Sequence, residues 1–164
     1  MNSKIRGMTM GFGHFMVLGA LALGLFWGCT GRYPTDLGTD NGQLKSCPGS
    51  PNCVNSQADA ADKTHFIPPL AYTGATEKAY STLVSTVQAM AGSKITEKKE
   101  RYLRVTFTTN LMGFVDDVEF YFPEQSVIHV RSASRKGYSD LGVNRKRMET
   151  IRSRFEQILK QANQ

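Results

Sequence analysis

The sequence predicts an α+β domain in which a small antiparallel sheet of three to five strands is covered on one face by two helices. Two observations support this fold class. Apolar residues recur at helical spacing near residues 76–91 and 143–161, and they alternate with polar residues in three segments between those helices. Consecutive strands with short connections pair antiparallel, and flanking helices bury the apolar face of such a sheet.

The first 28 residues have the pattern of a signal peptide. Lys4 and Arg6 precede the apolar run Phe15–Gly28, whose 14 residues fall short of the ~20 that cross a bilayer as a helix. Gly28-Cys29 resembles the end of a bacterial lipobox, in which the cysteine receives a diacylglycerol group and becomes the new N-terminus. Because Thr30 rather than aspartate follows, the resemblance favours the outer membrane where the host has one.

An uncleaved N-terminal membrane anchor is the alternative, because Phe26 and Trp27 stand where the lipobox pattern prefers Leu and a small residue. Both alternatives place the domain in the cell envelope, facing the periplasm, with the membrane as a partner through the N-terminus. The net charge of +6 is compatible with solubility or with weak attraction to an anionic lipid or polymer. Nucleic acid is not expected as a partner, since the basic residues do not accompany a recognised nucleic-acid-binding fold.

Residues 29–46 are predicted to form a flexible tether, lipidated at Cys29, because they are poor in apolar residues and rich in turn formers. A single domain is then expected over residues 47–164. Two cysteines, Cys47 and Cys53, remain close together in an oxidising compartment, which predicts a disulfide. A metal site that also uses His65 is the alternative, although this spacing is not a usual zinc spacing. No cofactor is expected.

The pattern of apolar residues places two helices and several strands within the domain. The expected elements, in chain order, are a helix over residues 76–91, a short strand over 94–99, strands over 101–109, 114–122 and 127–132, and a helix over Val143–Gln161. Thr76 is expected to cap the first helix, and Gly92 follows its end. Asp140 or Asn144 is expected to cap the last helix.

The register of the sheet follows from keeping all apolar sets on one face. The expected opposite pairs are Val105 with Val118, Phe120 with Val130, and Asp116 with Ser134. On the other face, Arg104, Glu119 and Arg131 fall in one row across three strands. This row is either a charge ladder or a solvated face that contributes little to stability.

Asp116 breaks the alternation, because it falls on the apolar face, where an unpaired carboxylate is costly. We expect Asp116 to pair with the polar connection at residues 131–144, beside Arg135, and so to fix this connection to the sheet. The alternative is a local bulge that turns both Asp116 and Asp117 outward.

Three motifs then resemble one known family. Cys47–Val54, Gly113–Phe120 and Arg131–Asn144 are similar in sequence and order to the domain of unknown function 1499 family, over about residues 47–160. Members often carry an export signal or a membrane segment, which agrees with the leader. The family has no established activity, so the resemblance supports the fold and says little about function.

Two functions remain open. We expect a non-catalytic binding or accessory module of the cell envelope, whose partner is an envelope protein or a small anionic ligand. The residues expected to bind a ligand or to anchor the loop are Asp116, Asp117, Arg131, Ser132, Ser134, Arg135, Tyr138, Ser139, Asp140 and Asn144. The alternative is a hydrolase or transferase that uses Asp116 or Asp117 as acid or base. Neighbouring residues on a strand point to opposite faces, however, so the two aspartates cannot easily share a site. No serine lies in a nucleophile-elbow motif either, and the binding module is therefore the preferred hypothesis.

Overall fold

In a computed structural model, residues 32–109 and 112–162 are described, and they form two antiparallel sheets and two helices of an α+β domain. The elements are β1 (Thr39–Asp40), β2 (Gln43–Leu44), β3 (Cys53–Asn55), β4 (Leu70–Ala71), α1 (Thr76–Gln88), β5 (Ser93–Lys99), β6 (Tyr102–Thr108), β7 (Val115–Tyr121), β8 (Val127–Ser134) and α2 (Val143–Ala162). Neither of the two helices in this part of the chain is long and apolar enough to cross a membrane. The predicted signal peptide and the lipidation at Cys29 lie outside the described residues.

The main sheet has six strands, one more than the upper limit of the prediction. Its order is β3-β8-β7-β6-β5, and β4 pairs with the first residues of β8, on the same edge as β3. All of these pairings are antiparallel. β3 and β4 are two or three residues long. A strand so short contains no alternation that a sequence pattern can detect.

The predicted register is confirmed. Val105 lies opposite Val118, Phe120 opposite Val130, and Asp116 opposite Ser134. Between β6 and β7 the pairing runs from Tyr102–Tyr121 to Thr108–Val115 without a shift. The alternation of apolar and polar side chains is therefore preserved across the three central strands.

Both helices share one hydrophobic cluster with the apolar face of the sheet. Its members include Leu83 and Val87 from α1, Leu103, Val105, Val118, Phe120 and Val130 from the sheet, and Met148, Ile151 and Phe155 from α2. The prediction that Thr76 caps α1 was wrong. The N-cap is Ala75, without a side-chain hydrogen bond, and the hydroxyl of Thr76 instead lies 3.0 Å from that of Tyr72.

The segment before the disulfide loop differs from the prediction. Residues 29–46 were expected to form a flexible tether, yet β1 and β2 pair with each other within it and Leu44 is buried. The Leu44 amide donates to Oε1 of Gln57 at 2.7 Å, and the Lys45 carbonyl accepts from Nδ2 of Asn55 at 3.0 Å. We call residues 33–46 the N-terminal strap, because they lie against the domain.

Candidate functional site

Asp116 is buried on the apolar face of β7, with 3% of its surface exposed. Its Oδ2 accepts a hydrogen bond from Nη2 of Arg147 at 2.5 Å. The Arg147 guanidinium also lies 4.9 Å from the ring centroid of Phe107. A charged hydrogen bond and an aromatic face together offset the cost of burying this arginine. Asp116 is therefore paired, but the expected partner, the polar connection at residues 131–144, was wrong: the carboxylate is bonded to Arg147 on α2.

Asp117 faces the opposite side of the sheet, where Arg135 holds it. Oδ2 accepts from Nε of Arg135 at 2.7 Å and Oδ1 accepts from Nη2 at 2.9 Å. This hydrogen-bonded carboxylate raises the pKa of Arg135. Because β7 keeps a regular register against both neighbours, the alternative of a bulge that turns Asp116 and Asp117 to one side is wrong.

Asn144, in the first turn of α2, is the centre of the polar network at residues 131–144, which we call the crossover. It is fully buried, and its Oδ1 accepts from Oγ of Ser132 at 2.5 Å and from Nη1 of Arg147 at 2.8 Å. Its Nδ2 lies near the Asn52 carbonyl (3.0 Å), Oγ of Ser134 (3.0 Å) and Oδ2 of Asp140 (2.8 Å). One amide side chain thus joins the end of β8, the start of α2 and the loop before β3.

Asp140 caps α2, one of the two caps expected. Its carboxylate accepts from the backbone amides of Gly142 at 3.0 Å and Asn144 at 2.7 Å. A small anionic ligand would be expected to use the amides at this helix start and the side chain of Arg135 as donors. In the folded protein they are already bonded to Asp140 and Asp117, so an anion would have to displace a carboxylate to use them.

The predicted disulfide between Cys47 and Cys53 is confirmed. It closes a loop whose Asn52 contacts the crossover. Nδ2 of Asn52 donates to the carbonyl of Gly137 at 2.6 Å, and its own carbonyl accepts from the amide of Ser134 at 3.0 Å. The disulfide therefore constrains a loop that contacts both the crossover and, through Asn144, the first turn of α2.

The bond between Cys47 and Cys53 removes both thiols from the alternative metal site with His65. The His65 ring is held by other partners: Nδ1 lies 2.6 Å from Oδ2 of Asp62, and Nε2 lies 3.2 Å from the carbonyl of Ser50. The hydrogen bond to Asp62 raises the pKa of His65. Among residues 32–109 and 112–162, no cluster of three or more metal-binding side chains is found.

The crossover has a buried base, at Ser132 and Asn144, and an exposed tip, at residues 136–139 and Leu141. Tyr138 is 75% exposed and Leu141 94% exposed, and Ser139 accepts the Leu141 amide at 3.2 Å. Leu141 also has a φ of 54°, in the left-handed region that residues other than glycine rarely adopt. Leu141 therefore combines an uncommon backbone conformation with an exposed apolar side chain.

Further exposed apolar residues lie at the same end of the domain. Val143 and Thr109 line a groove of about 370 Å³. The carbonyl of Thr109 accepts a hydrogen bond from the amide of Gly113, which follows the exposed Met112. The amide of Arg135 donates to the carbonyl of Val115 at 3.0 Å, which joins this region to the crossover. We call Met112, Lys136, Tyr138, Leu141 and Val143 together the crossover surface.

The row of charges on the other face of the sheet is buried rather than solvated, so the solvated alternative is wrong. Arg104 and Arg131 lie opposite Glu119, which is fully buried. Nη1 of Arg131 donates to Oε2 of Glu119 at 3.2 Å, and the hydroxyl of Tyr102 donates to Oε1 at 2.8 Å. Burial, together with the charge of Glu119, raises the pKa of Tyr102.

The N-terminal strap covers this polar face. The Gly38 amide donates to Oε1 of Glu119 at 2.8 Å. The ring of Tyr33 lies 4.8 Å from the guanidinium carbon of Arg104 and 5.0 Å from that of Arg135. In the described part of the chain, Nε of Arg131 is buried without a hydrogen-bond partner. The polar face is therefore closed by a segment that the sequence analysis had assigned to the tether.

Sequence reasoning missed three residues of this site: Arg147, Asn52 and Tyr33. A signal for Arg147 was present, because it stands four residues before Ile151, in line with the apolar stripe of α2. An arginine on an apolar stripe requires an acid, and Asp116 was the acid on the apolar face of the sheet. Asn52 and Tyr33 act through backbone groups and an aromatic ring, and no spacing pattern marks such contacts.

The arrangement offers little for acid–base catalysis. Asp116 and Asp117 lie on opposite faces of the sheet, and each is bonded to its own arginine. They cannot act on the same substrate, and both carboxylates are buried. His129, on the polar face, lies 3.2 Å from Oγ of Ser56, and burial lowers its pKa. It is joined to neither aspartate by a hydrogen bond.

The fold and site define a small α+β domain whose polar crossover is held by two buried acid–arginine pairs and by a disulfide-closed loop. The family model described as "Protein of unknown function (DUF1499)" matches residues 43–155. Because this match covers more than half of the sequence, the chain belongs to that family. Neither the curated proteins nor the solved structures include a significant match.

The three motifs that carried the family resemblance meet in the structure. Cys53 pairs with Ala133 across β3 and β8, and Asp116 pairs with Ser134 across β7 and β8. The disulfide loop, the start of β7 and the crossover are therefore parts of one structural unit.

Proposed function

We propose that this protein is a non-catalytic binding module of the bacterial cell envelope, held at the membrane by its N-terminal segment, that recognises its partner with the crossover surface. The observation that carries the proposal is the division of the crossover into a buried base and an exposed tip. The base is fixed by Asn144, Arg147 and Asp116, and the tip presents Tyr138 and Leu141 to solvent.

The buried acids support binding over catalysis. A general acid or base must reach its substrate, whereas both aspartates are buried and paired with arginines. Their bonds, to Arg135 within the crossover and to Arg147 just after it, are those of a scaffold that holds a loop in one conformation. A loop that is fixed in advance loses little conformational freedom on binding, which favours affinity.

The composition of the crossover surface supports recognition. Of the large apolar side chains exposed within residues 32–109 and 112–162, Met112, Tyr138, Leu141 and Val143 lie at this one end. Single exposed apolar residues are normal, but a group of them at one place is typical of an interaction site. Lys136 adds a positive charge to the same surface.

Site-specific photo-crosslinking in intact cells tests this function. A benzoylphenylalanine in place of Tyr138 or Leu141 of the full-length chain should give discrete adducts, because these side chains would face the partner. Ser81 and Ser153, which are exposed on α1 and α2, provide matched control positions. Equal crosslinking at all four positions would contradict the proposal, since it would show that the crossover surface has no preferred partner.

A further inference from the structure

The N-terminal strap fixes the place where the chain leaves the domain toward the membrane. Its contacts run from Tyr33, over Arg104 and Arg135, through the Gly38 amide on Glu119, to the buried Leu44. The strap is thus attached to the polar face through Tyr33 and Gly38 and to the rest of the domain through Leu44. Only residues 30–32 remain between the docked Tyr33 and Cys29.

So short a link keeps the domain close to the bilayer. Four peptide units from Cys29 to Tyr33 span at most about 14 Å when fully extended. A flexible tether through residue 46, as predicted from the sequence, would have allowed a reach of about 20–25 Å. The restriction is the same for a lipidated Cys29 and for an uncleaved anchor that ends at Gly28, because both enter the membrane at this point of the sequence.

The crossover surface lies near this exit point. The guanidinium of Arg135 is 5.0 Å from the Tyr33 ring, and Tyr138 follows Arg135 by only three residues. Three residues span at most about 11 Å of backbone, and the length of the Arg135 side chain adds to this distance. The tip of the crossover therefore lies on the part of the domain that a short membrane link brings closest to the lipid.

The chemistry of the crossover surface suits a bilayer interface. Tyr138 combines an apolar ring with a hydroxyl, the type of side chain enriched at the boundary between lipid and water. Leu141 and Met112 offer apolar groups that can enter the acyl boundary. Lys136 and the nearby exposed Lys146 are positive, whereas Asp140 is bonded within the helix cap. Anionic headgroups would therefore be attracted rather than repelled.

We infer that the crossover surface is a membrane-contact surface, which rests on an anionic phospholipid interface beside the N-terminal anchor. This inference builds on the proposed function, since it names lipid as the partner class of the same surface. The strap and the crossover then act together: the strap limits the height of the domain above the bilayer, and the crossover sets its orientation.

Spin labelling of the full-length chain tests the inference directly. A nitroxide at Ser139→Cys reports on the crossover tip while Tyr138 and Leu141 remain in place. A nitroxide at Ser153→Cys reports on an exposed position in α2, about 15 Å along the helix axis from Val143. In vesicles of phosphatidylethanolamine and phosphatidylglycerol, the label at 139 should be more accessible to oxygen than to a nickel chelate. The label at 153 should show the reverse, and unsubstituted protein measures any background from Cys29.

Two further variants separate the contributions of the surface and the strap. Tyr138→Ser with Leu141→Ser should shift the label at 139 to the water-like accessibility of the label at 153. Tyr33→Ala should reduce the oxygen accessibility at 139 in part, because the released strap lengthens the tether. Unchanged accessibility in the double variant would overturn the inference, because the apolar side chains would then not contact lipid.

The outcomes distinguish this inference from the proposed function. A water-like label at 139 in these vesicles, together with protein adducts from the crosslinker at 138, would refute membrane contact and retain a binding module with a protein partner. A water-like label without any selective adduct would refute both. Lipid adducts together with an oxygen-accessible label would uphold both.

Discussion

Phe120 and Glu119 are neighbours on β7, and both are fully buried, yet they lie in opposite layers of the protein. Phe120 packs in the cluster that joins the sheet to α1 and α2. Glu119 lies under the N-terminal strap, bonded to Arg131, to Tyr102 and to the Gly38 amide. One strand therefore has an apolar face and a polar face that are equally removed from water.

The difference between these faces lies in how burial is compensated. On the apolar face, burial is itself favourable, at roughly 25 cal/mol per Å² of apolar surface, and it depends little on direction. On the polar face, burial removes charges from water, and only well-aligned partners recover that cost. Burial of the polar face therefore selects one position of the strap but adds little to the free energy of unfolding. The compensation is incomplete, because Nε of Arg131 is buried without a hydrogen-bond partner.

The largest losses of stability are expected from substitutions at Phe120 on the apolar face and at Glu119 on the polar face. Phe120→Ala should lower the free energy of unfolding by about 3–5 kcal/mol through the cavity it leaves. Glu119→Gln should also cost about 3–5 kcal/mol, because Arg131 would be left as a buried, uncompensated charge. Urea unfolding followed by circular dichroism measures both changes.

A second substitution separates the two mechanisms. Replacing the pair together, as Glu119→Leu with Arg131→Met, should recover most of the loss at Glu119, because the charge of Arg131 is removed with that of its partner, while Arg104 keeps the carboxylate of Glu97 nearby. No substitution at Arg131 should rescue Phe120→Ala, since the two side chains lie on opposite faces. If the double substitution were as unstable as Glu119→Gln, uncompensated charge would not be the cause of the loss.

An intermediate effect is expected at Arg147, where a polar pair lies on the apolar face. Arg147→Met should cost about 2–3 kcal/mol, because Asp116 loses its buried donor. The cost should be smaller than at Glu119, since Arg147 lines a groove from which water can enter the space that its guanidinium leaves. Lys146→Met, at the exposed neighbouring position, is the matched control and should change stability by less than about 0.5 kcal/mol. Equal losses in the two variants would refute the role assigned to the Asp116–Arg147 pair.

The same contrast explains how much the sequence could predict. The pairings Val105–Val118 and Phe120–Val130 followed from alternation alone, because a one-residue shift would expose the whole apolar set. Asp116 was also recognised as a buried acid in need of a partner. Apolar burial leaves a periodic pattern in the sequence, so the elements that depend on it could be predicted.

The polar face leaves no comparable pattern. The strap docks through a backbone amide at Gly38 and an aromatic ring at Tyr33, within a segment whose composition is typical of a linker. Polar side chains on alternate positions of a strand look the same in the sequence whether water or another segment covers them. The burial of Glu119 and the docking of the N-terminal strap are therefore evident only in the folded structure. Arg147, in contrast, could have been found by comparing the apolar stripe of α2 with the acid at Asp116.

The smallest expected effect concerns pH and the partly buried His129 on the polar face. Burial places the pKa of His129 below its ordinary value of 6.5. As the pH falls below 6.5, the unfolded chain takes up a proton before the folded protein does, so stability is lost down to the lowered pKa of His129. The loss should stay below about 1 kcal/mol, because partial exposure to solvent screens the charge.

His65 provides the opposite case, because its hydrogen bond to Asp62 raises its pKa above 6.5. Its contribution is complete below pH 6.5 and is lost as the pH rises through the raised pKa. Together the two histidines should give a stability maximum near pH 6.5, measured as the urea midpoint against pH. His129→Gln should flatten the acid side of this profile alone, and His65→Gln the alkaline side alone. An unchanged acid side in His129→Gln would show that solvent, rather than a buried polar face, surrounds that imidazole.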